Sequence, residues 1–399
     1  VKDARMPLQG IRVLDLSRAL AGPLCATLLA DMGAEVVKVE PVDGDPSRAW
    51  GPHDGPESLY YASVNHGKRA LALDFRAPEA SEILLSLVRR SDVLIESFRP
   101  GVLDALGLDA EALRRTNPRL VVASVSGFGT VGPLRGAAGL DQIAQAMSGL
   151  MSVTGESAEQ SYRVGVPIVD FMTGLVSVIG VLCALLGREE SGMTVETSLL
   201  ETALYSLVFQ LQKAMLTGSN PEPQGNMHPT IQPYGAYQTA DGAIVLAAST
   251  QRHWRQLCDV LGIADVADDP RFAGPADRVE HRDALTTAIE RALAAAPVAD
   301  WLVRLQAAGI PAGPVLGIAD ALAHEQVEAL GIVREVPAPD GLSSRRLLAA
   351  PFRIDGERLE IRGYPPALGG ETRDILVELG WSPDDISALV KRGVVRESA

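Results

Sequence analysis

The chain has 399 residues, 47% of them hydrophobic, and a formal net charge of −14 at pH 7. That length supplies a large core and two or more domains. The acidic balance argues against nucleic acid or an anionic membrane surface as partner and points to small molecules, while leaving room for a local basic pocket that takes a phosphorylated ligand.

Val1 to Gly10 (VKDARMPLQG) lacks the apolar core of a signal peptide, so the expected compartment is the cytoplasm. Ile11 to Leu16 (IRVLDL) reads as a buried strand, Gly22 to Met32 as a helix and Ala34 to Glu40 (AEVVKVE) as a second strand, together a βαβ unit. The turn Ser17 to Pro23 (SRALAGP) has no GxGxxG, so the dinucleotide fingerprint is poorly matched even though Glu40 stands where a ribose-binding acid would sit. Asn65 to Leu73 (NHGKRALAL) reads as a loop. Helix Pro78 to Arg90, strand Asp92 to Glu96, helix Asp109 to Arg115 and strand Leu120 to Ser126 then extend an open parallel sheet. Ligands bind such sheets beyond the carboxyl ends of the strands, here Ser17-Arg18, Glu40-Pro41, Ser97 to Arg99 and Ser126 to Gly129. Arg18, Lys68, Arg69, Arg76 and Arg99 fit a phosphate pocket about as well as solvated surface charge. The loop GFGTVGP, Gly127 to Pro133, either lets backbone N–H groups approach a ligand or is a simple turn.

Arg163 to Arg188 (RVGVPIVDFMTGLVSVIGVLCALLGR) is a glycine-and-proline turn followed by an almost unbroken apolar helix. Val164 to Leu186 is the only membrane candidate, but Asp170, Thr173, Gly174 and Ser177 interrupt it, so the expectation is a buried helix and no membrane span. Asp170, at the helix start, has two readings: a structural N-cap, or a nucleophile or base held ionised by the helix N-terminus. Val195 to Met215 reads as a further helix and Thr217 to Pro233 as a linker. A small α+β unit follows, with a hairpin of Gly235 to Thr239 and Ala243 to Ala248 and helices near Gln251 to Leu261, Arg282 to Ala294 and Val298 to Ala308. Ala319 to Glu328 resembles a short helix. The tail, Glu371 to Leu379 and Pro383 to Lys391, is helical again. Cys25, Cys183 and Cys258 read as buried thiols, and neither they nor the six scattered histidines have metal-site spacing. No GxSxG elbow or P-loop is present.

The ordered series LQGIRVLDLS…AGP, GAEVVKVEP…GD, NHGKRALALD, DVLIESFRPG…LGL, SVSGFG…GP, GLDQIAQAMSGLMSVTG and RVGVPIVDFMTGL resembles the class III CoA-transferase family, which includes formyl-CoA transferase and the α-methylacyl-CoA racemases. PYGAYQTADGAIVLAA, HWRQLCDVLG, AAGIPAGPV and APF extend the resemblance over nearly the whole chain. It implies an α/β fold in an interlocked homodimer: a Rossmann-like large domain over residues 1–216 and 351–399, a linker at 217–233, a small α+β domain at 234–318 and a return linker at 319–350.

The resemblance also makes Asp170 the catalytic aspartate. It implies CoA contacts from Arg18, Ala19, Leu20, Ala21, Leu73, Arg76, Ser97, Phe98, Arg99, Leu140 and Asp141. Acyl-CoA and a carboxylic acid are then substrates, with no tightly bound cofactor. Racemases of the family shuttle a proton with a His and Asp pair, the histidine being the one that precedes an Asp in a Gly-His-Asp motif; here the motif is Gly139-Leu140-Asp141, and leucine carries no proton. Ser249 to His253 also replaces the racemases' small-domain glutamate. Transferase is therefore the expected activity, ahead of a 2-methylacyl-CoA racemase or isomerase and of a non-catalytic CoA-binding dimer. The chain departs from formyl-CoA transferase in three places: Ser191 to Thr194 shortens the usual GxGQ, the glycine-rich flap has no counterpart, and Ala105 stands in place of an arginine.

Overall fold

Alternation of short apolar runs with helices builds one large mixed α/β layer system. The computed structural model describes residues 6–338, 341 and 343–398; residues 1–5, 339–340, 342 and 399 of the expected domains lie outside the described residues. Its main sheet has the order Val395–Arg396, Lys68–Leu73, Glu35–Glu40, Arg12–Asp15, Val93–Glu96, Val121–Ser126, Thr194–Ser198. All neighbours are parallel except the short last strand of the chain, which pairs antiparallel at one edge. The chain adds strands to one side of Arg12–Asp15, then, from Val93–Glu96 to Thr194–Ser198, to the other, before its last strand returns to the first side, so a crevice opens beyond the carboxyl ends of Arg12–Asp15 and Val93–Glu96.

Period-two alternation along the strands splits the core between two faces. Val13, Val36, Val93, Ile95 and Val121 face helix Ala21–Asp31, which is buried along its whole length, and helix Ile168–Gly187. Leu14, Val39, Leu71 and Leu94 face helices Ala80–Arg90, Thr372–Glu378 and Pro383–Lys391. Gly174 lets the two apolar helices approach closely, since a Cβ there would lie 2.8 Å from the Ala21 carbonyl oxygen.

Three expectations are corrected. The sequence predicts a loop over Asn65 to Leu73, yet Lys68–Leu73 is an inner strand: Lys68 is buried against Asp15 at 2.9 Å and Arg69 pairs with Glu378 at 2.7 Å, so both cations are matched. Val195 to Met215 is not one helix. It opens as strand Thr194–Ser198, Ser198 caps helix Leu199–Ser206 through the Glu201 N–H, and helix Val208–Thr217 follows. The long helix is buried on one face only: Thr173, Gly174, Ser177, Val178, Val181 and Ala184 are covered, whereas Phe171, Val176, Ile179 and Leu186 are exposed. By length and apolarity alone that helix is able to cross a membrane. Cys183, expected to be buried, is exposed on it.

Contacts divide the chain into one unit of residues 1–150, 163–215 and 330–399 and a second of 151–162 and 216–329. Residues 151–162 thus group away from the stretch in which the sequence predicts them. The expected return linker holds helices Ile318–Leu322 and Glu325–Leu330 and a hairpin of Val333–Pro337 with Ser344–Leu348. In the second unit, Tyr234–Gln238, Ala243–Ala247 and Ala312–Pro314 form an antiparallel sheet. Helices Gln251–Leu261, Arg282–Leu293 and Val298–Ala307 pack on it around Tyr237, Trp254, Leu257 and Trp301.

Candidate active site

A cavity of about 530 Å³ lies in the first unit, beyond the carboxyl ends of Arg12–Asp15, Val93–Glu96 and Val121–Ser126. Its floor is the turn after the first strand. There Ala19 adopts φ +66°, a left-handed conformation that costs an alanine roughly 1–2 kcal/mol. Neighbours hold the turn in place: Ser97 Oγ accepts the Arg18 N–H at 2.9 Å, and Lys38 Nζ donates to the Ser17 carbonyl at 2.9 Å. The Arg18 guanidinium lies over the Phe98 ring, 5.3 Å from its centroid, which orients the cation along the wall. A second wall is the loop after Val121–Ser126. Gly127 and Gly139 touch backbone to backbone and leave no space for a side chain on either, so the glycines close this loop on itself.

Asp170 also lines the cavity, and the helix that carries it starts differently from expectation. Pro167 holds the cap position and Asp170 is the third helical residue, so Asp170 is not the N-cap. Asp141 supplies the acceptor from another segment: its Oδ1 accepts the Val169 and Asp170 N–H groups at 2.8 and 3.1 Å. Among the described residues, no cation pairs with the Asp170 carboxylate. Burial, and after it the negative charge of Asp141, push the Asp170 carboxyl up to about 7. The helix N-terminus is expected to hold this group ionised; burial and the like charge of Asp141 act the other way and favour its protonated form. Tyr60 feels the same surroundings, its hydroxyl pushed up to about 12 by burial and then by Asp170 and Asp141.

Of the residues singled out from the sequence, the cavity brings together Asp170, Arg18, Ala19, Leu20, Ala21, Ser97, Phe98, Arg99 and Leu140. It does not include three others. Leu73 is buried in the core on the far face of the sheet, Arg76 is exposed elsewhere, and the Asp141 carboxylate is turned into the protein toward backbone N–H groups and Gln145. The cavity adds Arg135 and Asp104, which no motif marked, and Glu96, which lies inside DVLIESFRPG without being singled out as a site residue. Arg135 sits in a Gly- and Ala-rich loop, and its only sequence signal is that the loop follows a strand end. Arg18, Arg99 and Arg135 make no ion pair with a carboxylate among the described residues, so the cavity carries unmatched positive charge at the walls and an unmatched acid at Asp170.

Residues 8–372 match the family model described as CoA-transferase family III. The chain is 38% identical over 383 residues to a succinate–glutarate CoA-transferase of Agrobacterium fabrum, covering 94% of this chain and 96% of that one. It is 40% identical over 319 residues to an acetyl-CoA:oxalate CoA-transferase of Acetobacter aceti, covering 79% and 82% of the two. A crystal structure of a CaiB/BaiF family protein from Brucella suis superposes with a TM-score of 0.84 at 36% identity, covering 94% of this chain and 99% of that one.

Proposed function

The chain belongs to CoA-transferase family III, and from that premise we propose that it moves CoA between an acyl-CoA thioester and a free carboxylic acid with Asp170 as the nucleophile. One observation carries the reading: a desolvated carboxyl group lines a cavity without a cation to quench it. Such an acid is more basic than a salt-bridged one, and near neutral pH a large part of it is the free anion.

Asp170 attacks the thioester carbonyl of the donor, forming a mixed anhydride and expelling CoA thiolate. The thiolate attacks the aspartyl carbonyl and releases the donor acid as its carboxylate, leaving an aspartyl-CoA thioester. The acceptor carboxylate attacks that thioester, giving a second anhydride and free thiolate. Attack of the thiolate on the acceptor carbonyl yields the new acyl-CoA and returns Asp170 as an anion. One carboxylate enters for each that leaves, so no proton is consumed. Both anhydrides and the thioester hydrolyse readily, so bound acyl-CoA and acid must themselves displace water from the cavity around Asp170.

Arg18, Arg99 and Arg135 supply charge for the CoA phosphates. Ala19 to Ala21, Ser97, Phe98 and Leu140 supply the remaining surface. Short dicarboxylic acids are the proposed substrates, because relatives of this length and identity are named for succinate and glutarate. The uncovered apolar face of the long helix, with Phe171, Val176, Ile179 and Leu186, supports the interlocked homodimer, as do exposed Tyr205 and Val208 nearby in the chain.

The test is a mass-spectrometric screen of CoA exchange between a panel of acyl-CoAs and free mono- and dicarboxylic acids. Enzyme-dependent exchange with dicarboxylates is expected; no exchange with any acid overturns the reading. In deuterated water a chiral 2-methylacyl-CoA should show no exchange at Cα, since Leu140 supplies no proton carrier.

A further inference from the structure

The segment leading into the catalytic helix has no cap of its own, and its polar groups are served by one neighbouring helix, Asp141–Met147. Asp141 Oδ1 accepts two N–H groups of the first turn, those of Val169 and Asp170, at 2.8 and 3.1 Å. Asp141 Oδ2 accepts from Gln145 Nε2 at 2.6 Å, and Gln145 Oε1 accepts the Val164 N–H at 2.9 Å. Both side chains are buried, Gln145 completely. Being four residues apart, they share one face of their helix, and from it three hydrogen bonds fix residues 164–170, with a fourth joining the two side chains.

We infer that Asp141 and Gln145 form a positioning brace, which fixes the main chain of Asp170 at the cavity wall and keeps a negative charge beside its carboxyl group. The inference rests on the reading of Asp170 as nucleophile. The brace has two separable effects. Its hydrogen bonds hold the attacking group in place before substrate arrives, so attack needs little reorganisation. Its charge repels the Asp170 anion but not the neutral acyl-aspartate, so the repulsion is relieved when the covalent intermediate forms.

Other charged or titratable groups near Asp170 do not duplicate this role. Tyr60, on helix Leu59–Ser63, stays neutral across the physiological range. Glu201, on helix Leu199–Ser206, accepts from the Ser198 hydroxyl, and Glu196 on the adjoining strand accepts from Thr130. Asp31, at the far end of helix Ala21–Asp31, pairs with His66. Arg18, Arg99, Arg135, Glu96 and Asp104 share the cavity, but Asp141 alone is a source of the charge felt at Asp170.

The experiment measures kcat and the pH profile of kcat/KM for Gln145→Ala, Asp141→Asn and the double variant Asp141→Asn/Gln145→Glu, with Asp170→Asn alongside. Asp141→Asn keeps an oxygen for the two N–H groups, removes the charge and sets one amide NH2 against another. The double variant restores donor against acceptor and moves the charge one turn away. Gln145→Ala should lower kcat about tenfold with the acid limb unmoved. Asp141→Asn should lower kcat comparably and move the acid limb about one pH unit lower. The double variant should recover most of kcat but keep the displaced limb.

The inference is overturned if Asp141→Asn and Gln145→Ala both behave as wild type. It is equally overturned if kcat falls only in step with melting temperature and the limb stays fixed. If Asp141→Asn does not fold, Gln145→Ala and the double variant decide. An active Asp170→Asn would instead remove the nucleophile reading, whereas an inactive Asp170→Asn beside silent Asp141 and Gln145 variants sinks the brace alone.

Discussion

Asp15 is fully buried and Asp170 partly so, and the chain treats the two acids in opposite ways. Asp15 ends the first strand with Lys68 Nζ at 2.9 Å, Lys38 Nζ at 3.9 Å and the Ser17 N–H at 2.9 Å. Burial pushes its carboxyl up, but the two ammonium groups and the Ser17 bonds more than offset this and leave it below the usual carboxylate range. Asp170 has no cation beside it, so burial and Asp141 push in the same direction. Counter-charge, more than burial, separates the acid that builds from the acid that reacts. The two regions meet in function: Lys38 reaches from Asp15 to the Ser17 carbonyl and, at 3.2 Å, to Asp45, and so supports the turn that floors the cavity.

The comparison is tested hardest by Asp170→Asn. The variant keeps the shape of the side chain and loses the attacking anion, so turnover should fall by about four orders of magnitude while the fold persists. Hydroxylamine added during turnover of wild type with a donor acyl-CoA should modify the peptide that carries Asp170, because it intercepts activated carboxyl groups. An active variant together with an unmodified peptide would assign Asp170 a structural role like that of Asp15.

Asp15→Asn should do the reverse. It leaves Lys38 and Lys68 buried with one acid fewer, and Lys68 is already pushed down to about 8, first of all by burial. A loss of about 3 kcal/mol in urea unfolding is expected, with the remaining folded enzyme still turning over. Unchanged stability with abolished turnover would place Asp15 among the reacting groups and break the comparison.

Much of this division was legible in the sequence. An acid inside an otherwise apolar stretch drew attention to Asp170, and strand ends with polar turns marked Arg18 to Ala21 and Ser97 to Arg99. What escaped was what distant residues do to one another. The cap of the long helix comes from Asp141, 29 residues before Asp170, and local cap rules see only adjacent residues. Lys68 beside Arg69 reads equally as surface charge or as part of a phosphate pocket, because the acids that match them, Asp15 and Glu378, are far away in the chain. The long helix is apolar on all sides, which predicts full burial, yet this chain covers only one side.

The unmatched cations allow a finer test. Arg18 lies along Phe98 without an acid partner, whereas Arg48 is held by Glu40 at 2.7 Å and by Tyr61. Arg18→Ala should raise KM for acyl-CoA about tenfold with kcat nearly unchanged, as expected when a uniform phosphate contact is lost. A drop in kcat at constant KM would move Arg18 from binding to chemistry.

The smallest expected effect bears most directly on how the two acids differ, because it reads the energy stored at Asp170. Its carboxyl titrates near 7 when folded, against an ordinary value of 3.8. Between those values the native state holds a proton that the unfolded chain has released, so native stability falls as pH rises from about 4 through 7. Asn at this position never ionises. Asp170→Asn should therefore match wild type near pH 4 and be more stable near pH 8, by on the order of 1 kcal/mol, since Asp170 lines an open cavity and water reaches it in part. Asp15, whose folded value lies below the ordinary one, has the opposite sign: its stabilising share is present above the ordinary carboxylate range and is lost as pH falls through its lowered value. Reversible urea unfolding of wild type, Asp170→Asn and Asp15→Asn at both pH values separates the two slopes. If Asp170→Asn is the less stable protein at pH 8, its ionised carboxylate is held by favourable partners and belongs with Asp15.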